Sequence, residues 1–597
     1  MAEKKPVNLI AFDIETTSLG GDPVYWSWAS GDDQGGEAVE GSAEFTRRFA
    51  ERFLTPSYSG AVIVAHNGLR FDYLRLDYHY LIEQGYSIKV WKSRTSIRGM
   101  DVSKNKRTWK LRDSVTWSPS TLADFVTTFA PSGFRKMESP DWESENFSVL
   151  NPDHVRYALN DSVVLYEAVC GYNRFLSEHF SIDVRKAVTL SGFAVKALKQ
   201  HVGGSVPDWP LMADPLGRES YHGALTCAFQ VGTFRDLVYL DINSSYASVM
   251  LEHDLPTGLP FRVAPSIKIA VPHLVAATVE IPSGVFPCLV SRSDTGAHSR
   301  VGGMVTGIYW DFELALQQEL GGIIRAVHAR YVFPTVWDGC RRFVHRLAEI
   351  RSRDYHGPVG QLAKLMQNSL YGKFAAFPDD RLVIVAEDPP PEGVPFIGPG
   401  SDPVPFFWSV PSRRKSSSRV YWGSFITARA REKLLRYLMR MPFNDWIYSD
   451  TDSLLVPKRY LSRYRDVIGT SYGQLKVEGE MSEFEVRAAK VYVGKLADGT
   501  LRFKAKGIPK RLRREAFDKG KVHYEQSVSL SVSMSGKLRT KNKPDSYTKI
   551  AQRTLSGPQS CISGSYKNNR WQPELADGRG FDPQKLGAYA FDKKVKP

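Results

Sequence analysis

The segment Tyr448-Ser449-Asp450-Thr451-Asp452-Ser453 sets two carboxylates one residue apart inside an apolar stretch, between Ile447 and the run Leu454-Leu455-Val456. The pattern predicts a hairpin that holds both carboxylates on the same face. Like charges about 4 Å apart repel by roughly 4 kcal/mol at an effective dielectric near 20, so such a pair calls for a cation. A second apolar strand, Leu237-Val238-Tyr239-Leu240-Asp241-Ile242, also ends on an acid and is followed by the turn Asn243-Ser244-Ser245. If the two strands are neighbours, Asp241, Asp450 and Asp452 converge, which is the geometry two-metal phosphoryl or nucleotidyl transfer requires.

A second acidic set lies upstream. Asp13-Ile14-Glu15 follows a strand, so its carboxylates share a face, and Asp72 closes the segment His66-Asn67-Gly68-Leu69-Arg70-Phe71-Asp72. Tyr157 and Asp161 stand at i, i+4 of a helical pattern. Four acids with a tyrosine able to orient a water compose a two-metal centre suited to hydrolysis. Each fragment alone also fits a solvated turn; their joint occurrence upstream of Asp241 and Asp452 carries the weight. In Gln361-Leu362-Ala363-Lys364-Leu365-Met366-Gln367-Asn368-Ser369-Leu370-Tyr371-Gly372, the residues Lys364, Asn368 and Tyr371 share one helix face. A cation, an amide and a ring in a row can grip a nucleotide, with stacking worth about 1–3 kcal/mol per base. An amphipathic helix with an ordinary polar face is the rival reading of that segment alone. Gly372 is expected to end the helix or to permit a close approach.

The elements that must position these groups are legible in outline. Strand patterns at 7–14 and 61–65 and a helical pattern at 152–170 give an α/β unit over the first ~185 residues. A β-rich stretch at 263–329 precedes helical patterns at 337–353 and 359–370, and 388–420 is rich in Pro, Gly and Ser. Phe396, Phe406, Phe407 and Trp408 favour order there. Beyond Val456 the chain turns basic and loses clear periodicity. With 597 residues the chain holds several domain-sized units. The surplus of 79 Lys+Arg over 64 Asp+Glu, net +15, suits a polyanionic partner. The surplus is uneven: 501–543 carries 13 Lys/Arg against Glu515, Asp518 and Glu525, a phosphate-contacting surface or a solvated basic face. Five scattered cysteines without a CxxC pair point away from a disulfide framework or zinc site, and toward a reducing compartment. No apolar run approaches the ~18 residues of a membrane helix, and the first residues do not read as a signal sequence.

Taken in order, Asp-Ile-Glu, Asn-Gly-Leu-Arg-Phe-Asp and Tyr-Ala-Leu-Asn-Asp are similar to the three exonuclease motifs of family B DNA polymerases. Asp241-Ile242-Asn243-Ser244-Ser245-Tyr246, Lys364 to Gly372 and Tyr448 to Asp452 resemble the three polymerase motifs, and the match spans about 7–510. Lys364-Leu365-Met366-Gln367-Asn368-Ser369-Leu370-Tyr371-Gly372-Lys373, Thr427-Ala428-Arg429-Ala430-Arg431 and Lys490-Val491-Tyr492 resemble the protein-primed subgroup of small linear-genome phages and linear plasmids.

The resemblance implies an α/β and α+β multidomain chain. An RNase H-like 3′→5′ exonuclease domain (1–185) leads into a right-hand polymerase. Its parts are a first palm segment (186–251), a priming insertion (252–337), fingers (338–376), a template-clamping insertion (377–420), a second palm segment (421–520), and a thumb with the basic C-terminal region (521–597). Roles follow the motifs. Asp241 and Asp452, with the main chain of Ile242, would bind two Mg2+ or Mn2+ ions, with Asp450 in support. Tyr246 would exclude ribose, Lys364 would hold the triphosphate, Asn368 and Tyr371 would cover the nascent pair, and Arg351 would assist with phosphates. Lys490 and Tyr492 would steady the primer terminus. Asp13, Glu15, Asp72 and Asp161 would bind a second ion pair, with Tyr157 orienting water. Thr16, Asn67, Phe71, Thr121 and Leu122 would hold a frayed 3′ strand. Lys136 matches a supporting exonuclease lysine, with Arg135 competing for the place. Tyr221, Gly223, Thr427 and Arg431 would contact DNA.

Implied partners are template and primer DNA, dNTPs and a terminal protein whose hydroxyl primes synthesis, for a monomeric enzyme in a host cytoplasm. A family B enzyme primed by nucleic acid, and a nuclease with a non-catalytic polymerase-like module, are the alternatives. Two departures stand out. Tyr221-His222-Gly223-Ala224 has Ala where the family's inter-domain motif has a second Gly. Gly360 stands where a basic residue four positions before Lys364 is expected.

Overall fold

A computed structural model describes residues 8–17, 21–92, 97–140, 147–204, 206–207, 214–292, 298–355, 357–376, 381–397, 403–411, 419–527, 548–554, 564–573 and 575–576. Part of the second insertion and most of the C-terminal region lie outside the described residues.

The apolar run Val62–Ala65 is buried at every position, as expected of a strand covered on both faces. It pairs in parallel with Leu9–Thr16 on one side and Arg107–Asp113 on the other. Around it, among the described residues, runs a ten-stranded sheet. Its order is Val394–Ile397, Pro403–Pro411, Arg381–Val385, Ser87–Lys92, Ile97–Lys104, Arg107–Asp113, Val62–Ala65, Leu9–Thr16, Pro23–Ser30, Asp33–Ala38. Its first three strands come from the second insertion: Val383 pairs with Val90 and Val385 with Ile88, antiparallel. Val383, Val385 and Phe407 are buried in the same core as Phe12, Trp26 and Tyr73, so this insertion completes the first domain's sheet. The helix Pro152–Phe180 lies on that sheet, opening with Pro152 and capped by the Asn151 side chain, which accepts from the Asp153 N–H.

A second sheet of seven strands has Gly232–Ile242 at its centre, flanked by Ser453–Pro457 and Leu475–Ala488. Tyr448–Asp450 and Thr226–Ala228 extend one side, Val491–Leu496 and Leu501–Ala505 the other. A third sheet, Phe261–Val263, Ile323–Val332, Leu274–Ile281, Gly302–Trp310 and Leu575–Ala576, forms most of the first insertion. Its last strand arrives from the far end of the chain. The helices Gly339–Arg353 and Pro358–Phe374 pack together, and Val420–Leu438 buries one face beneath them. Among the described residues no helix is long and apolar enough to cross a membrane, and Cys170, Cys227, Cys288 and Cys340 are free thiols.

Candidate functional site

The two acid-tipped strands are neighbours. Ser453 pairs with Asp241 across the antiparallel ladder, and the Ile242 N–H donates to the Asp452 carbonyl at 2.7 Å. The ends of both strands therefore present Asp241 and Asp452 side by side. Thr451 holds a left-handed backbone, φ 66°, which closes the hairpin tightly, and the Asp452 N–H bonds back to the Asp450 carbonyl at 2.7 Å. Burial, then Asp452 and Glu478, push the Asp241 carboxyl up to about 7, against Lys364 and Lys476. Burial and Asp450 push Asp452 up to about 6, against Lys490 and Lys364. Asp450 is engaged differently: its Oδ1 accepts from Thr226 Oγ1 at 2.9 Å and lies 3.1 Å from Lys490 Nζ. Ile242 has its side chain fully buried, so only its main chain is free to act.

Above these acids, Lys364 and Asn368 are exposed and Tyr371 half-buried on one face of Pro358–Phe374. Lys364 is close enough for its charge to lower both Asp241 and Asp452. Tyr371 stacks on Tyr246 with ring centroids 3.9 Å apart. Arg351 Nη1 donates to Ser244 Oγ at 2.9 Å, and its guanidinium lies 4.7 Å from the Tyr355 ring. Gly372 does not end the helix, which runs on to Phe374, and a Cβ there would meet nothing within 4 Å. Gly360 has a steric reason: a Cβ would lie 2.0 Å from the Asp354 carbonyl oxygen, so the tight turn into this helix excludes the expected basic side chain. On the neighbouring strand the Lys490 N–H donates to Tyr448 Oη at 3.2 Å, and Tyr492 meets the Tyr448 ring edge-on at 5.2 Å.

The upstream acids also gather. The Ile14 N–H donates to Asp72 Oδ1 at 3.2 Å, which sets Asp72 between Asp13 and Glu15. Burial, then Asp72, Glu15 and Asp161, raise Asp13 well above the carboxylate range. Burial, Asp161 and Asp72 raise Glu15 to about 8, and burial raises Asp72 to about 7. Lys136 Nζ bonds both Asp161 oxygens at 2.6 and 2.7 Å and Tyr157 Oη at 2.7 Å, whereas Arg135 offers its carbonyl to Asn160. Lys136 is thus the cation of this site. Asn67, at φ 63°, and Leu69 donate their N–H groups to the buried carboxylate of Asp113. Asp113 thereby fixes the loop that leads through Phe71 to Asp72. Sequence reasoning missed Asp113, a single acid at the end of its strand, and Glu478, one of four glutamates along Leu475–Ala488, neither with a motif around it. Thr16 is half-buried beside Glu15 and Phe71 lies under the Arg75 guanidinium at 4.0 Å. Thr121 caps the helix Leu122–Phe129, accepting from the Asp124 N–H, while Leu122 is buried.

Two expected DNA contacts lie inside the protein. Thr427 is 2% and Arg431 3% exposed. Thr427 Oγ1 donates to the Gly423 carbonyl within its own helix. Arg431 pairs with buried Glu313 at 2.5 Å and donates to the His222 and Gly223 carbonyls at 2.6 and 2.9 Å. Arg431 therefore braces the Tyr221–Ala224 loop from behind, and the Thr427 hydroxyl is spent on its own helix. Tyr221 is half-buried and Gly223 exposed at its outer side.

Hard oxygen donors, buried and repelling one another, fit Mg2+ or Mn2+. No three His, Cys, Asp or Glu side chains among the described residues close a metal cage by themselves.

Residues 136–390 match the family described as DNA polymerase type B, organellar and viral. A probable DNA polymerase of Neurospora intermedia is 23% identical over 395 residues, 61% of this chain and 39% of that protein. One of Ascobolus immersus is 26% identical over 238 residues, 38% of this chain and 20% of that protein. The chain thus spans well under half the length of these relatives. Phi29 DNA polymerase, solved with primer-template DNA and incoming nucleotide substrates, superposes with a TM-score of 0.69 at 18% identity, over 92% of this chain and 100% of that one. The orthorhombic form of the same enzyme gives 0.66 at 19%, over 88% and 96%. The fold expected from the motifs is therefore the fold that the chain shares with these solved structures.

Proposed function

We propose that this chain, with the fold of organellar and viral type B DNA polymerases, is a template-directed DNA polymerase with 3′→5′ proofreading. We also propose that it is primed by a hydroxyl of a terminal protein. The observation that carries the reading is the adjacency of Asp241 and Asp452 at the ends of paired strands, each carboxyl raised by burial first and by a neighbouring acid second, Asp452 for Asp241 and Asp450 for Asp452. Asp241, Asp452 and the Ile242 main chain would hold the ions of synthesis, and Asp13, Glu15, Asp72 and Asp161 those of degradation, two in each centre. Bound Mg2+ supplies Lewis-acid activation of the attacking oxygen and neutralises the charge on the leaving phosphate.

The chain's own groups do the rest. Lys364 and Arg351 receive the triphosphate, Tyr246 underlies the sugar, Tyr371, stacked on Tyr246, covers the nascent base pair, and Asn368 lines the same face. Lys490 and Tyr492 hold the primer terminus, and Asp450 keeps the Lys490 ammonium in place through their 3.1 Å pair. At the second centre Lys136 orients Tyr157 and Asp161 toward a water, and the Asn67–Phe71 loop with Thr16, Thr121 and Leu122 receives a frayed end. The domain limits inferred from the sequence stand as part of this proposal, with template, primer, dNTPs and terminal protein as partners.

Asp452→Ala is expected to abolish primer extension and to leave degradation of single strands intact, while Asp13→Ala does the reverse. Loss of both activities from one substitution in a folded protein contradicts the two-centre assignment. Labelled dATP incubated with template, with and without a terminal protein, tests the priming: label transferred to protein supports it, and extension from an oligonucleotide alone favours nucleic-acid priming.

A further inference from the structure

Asp113 stands outside both sets of metal-binding candidates. It ends the strand Arg107–Asp113, is 2% exposed, and pairs across the parallel ladder with Ala65, just before the loop that leads to Asp72. Its carboxylate is spent on main-chain N–H groups. Oδ1 accepts from Asn67 and from Val115, each at 2.9 Å, and Oδ2 accepts from Leu69 at 3.2 Å. Asn67 is held at φ 63°, a left-handed backbone that a non-glycine residue keeps where its surroundings impose it. The turn then offers the Gly68 carbonyl to the N–H groups of Phe71 and Tyr73, at 3.2 and 2.9 Å. Its buried side is thus tied down, while Asn67 is exposed and Phe71 half-buried. Asp72 has an anchor of its own in the Ile14 N–H.

We propose that Asp113 is a positioning residue of the degrading centre. Through the 67–69 turn it sets Asn67 and Phe71 where a frayed 3′ end is received. The assignment rests on the exonuclease reading above. Asparagine has nearly the same shape, but it offers one acceptor oxygen and one NH2. The oxygen can serve Asn67 and Val115 as Oδ1 does, whereas the NH2 meets the Leu69 N–H, donor against donor. Asp113→Asn therefore keeps the packing and the Val115 bond and releases one anchor of the turn.

The experiment compares wild type, D113N, N67G and the double variant. The assays are degradation of a single-stranded oligonucleotide with Mg2+, primer extension, and thermal unfolding. N67G removes the exposed amide and leaves a residue at ease with positive φ. D113N should raise KM for the oligonucleotide roughly tenfold, the effect of one lost hydrogen bond to a charged group. Its kcat should stay within about twofold of wild type, because Asp72 keeps its own anchor, and primer extension should be unchanged. In the N67G background the same substitution should raise KM by no more than about threefold, since the grip it serves is already weakened. A lower kcat at unchanged KM, equal losses of degradation and extension, or an undiminished effect in the N67G background overturns the Asp113 assignment alone. Hydrogen exchange of the wild type reads the anchor without any variant: the Asn67 and Leu69 amides should exchange as slowly as those of Val62–Ala65. Fast exchange there overturns the assignment even if D113N does not fold. A wild type that degrades no single strand overturns the exonuclease reading as well.

Discussion

Removing metal should make Asp241 a liability that grows with pH. Its carboxyl moves from an ordinary 3.8 to about 7 in the folded chain, through burial first and Asp452 second. For an acid raised on folding, both states are protonated below about pH 4 and nothing is lost. As pH climbs toward 7 the unfolded chain ionises freely and the folded one does not, so folding is progressively penalised. A gap of about three pH units at 1.36 kcal/mol each amounts to about 4 kcal/mol, complete above pH 7. Asp241→Asn removes that ionisation. In EDTA at pH 8 the variant should therefore be more stable than wild type by up to about 4 kcal/mol, and the two should converge near pH 4. Mg2+ should close the gap from the wild-type side. Calorimetric unfolding of both proteins across pH 4 to 8, with and without Mg2+, measures this; the other acids contribute equally to each and cancel. A wild type at least as stable as the variant at pH 8 without metal refutes the idea that these carboxylates await a cation.

Lys136→Met should cut degradation about a hundredfold while primer extension persists, since the ammonium bonds both Asp161 oxygens and Tyr157; equal loss in both assays would show a general folding defect. Deleting 388–417 should shorten products on long templates and also lower the first domain's unfolding temperature, because the cut removes the strand Pro403–Pro411 that covers Arg381–Val385. Unchanged product length counts against a template-clamping role.

The candidate acids Asp13 and Asp241 were legible because each ends a short apolar run, and strand alternation fixes the face of Asp13 with Glu15 without tertiary information. Lys364, Asn368 and Tyr371 were legible for the parallel reason of helical period. The strand Leu475–Ala488 was not: register shifts at Val477/Gly479, Met481/Glu483 and Val486/Ala488 scramble the alternation that would announce it. Pairing of 383–385 with 88–90 joins segments almost three hundred positions apart, and no local pattern encodes it. Arg431 misled for a subtler reason. Thr427-Ala428-Arg429-Ala430-Arg431 reads as a basic surface, yet Arg431 shares the inward face of its helix with Thr427, Leu434 and Leu438. Only a distant acid, Glu313, makes that burial tolerable.

That interior carries a lasting mechanical consequence. Arg300, buried close by, donates to the Cys288 carbonyl, and the Glu313 carboxylate is paired with Arg431. The carbonyls of His222 and Gly223 supply the missing acceptors for Arg431. Were that loop to swing away, an interior cation would lose two of its three acceptors, at a cost of several kcal/mol. The loop is therefore a fixed post and no swinging gate.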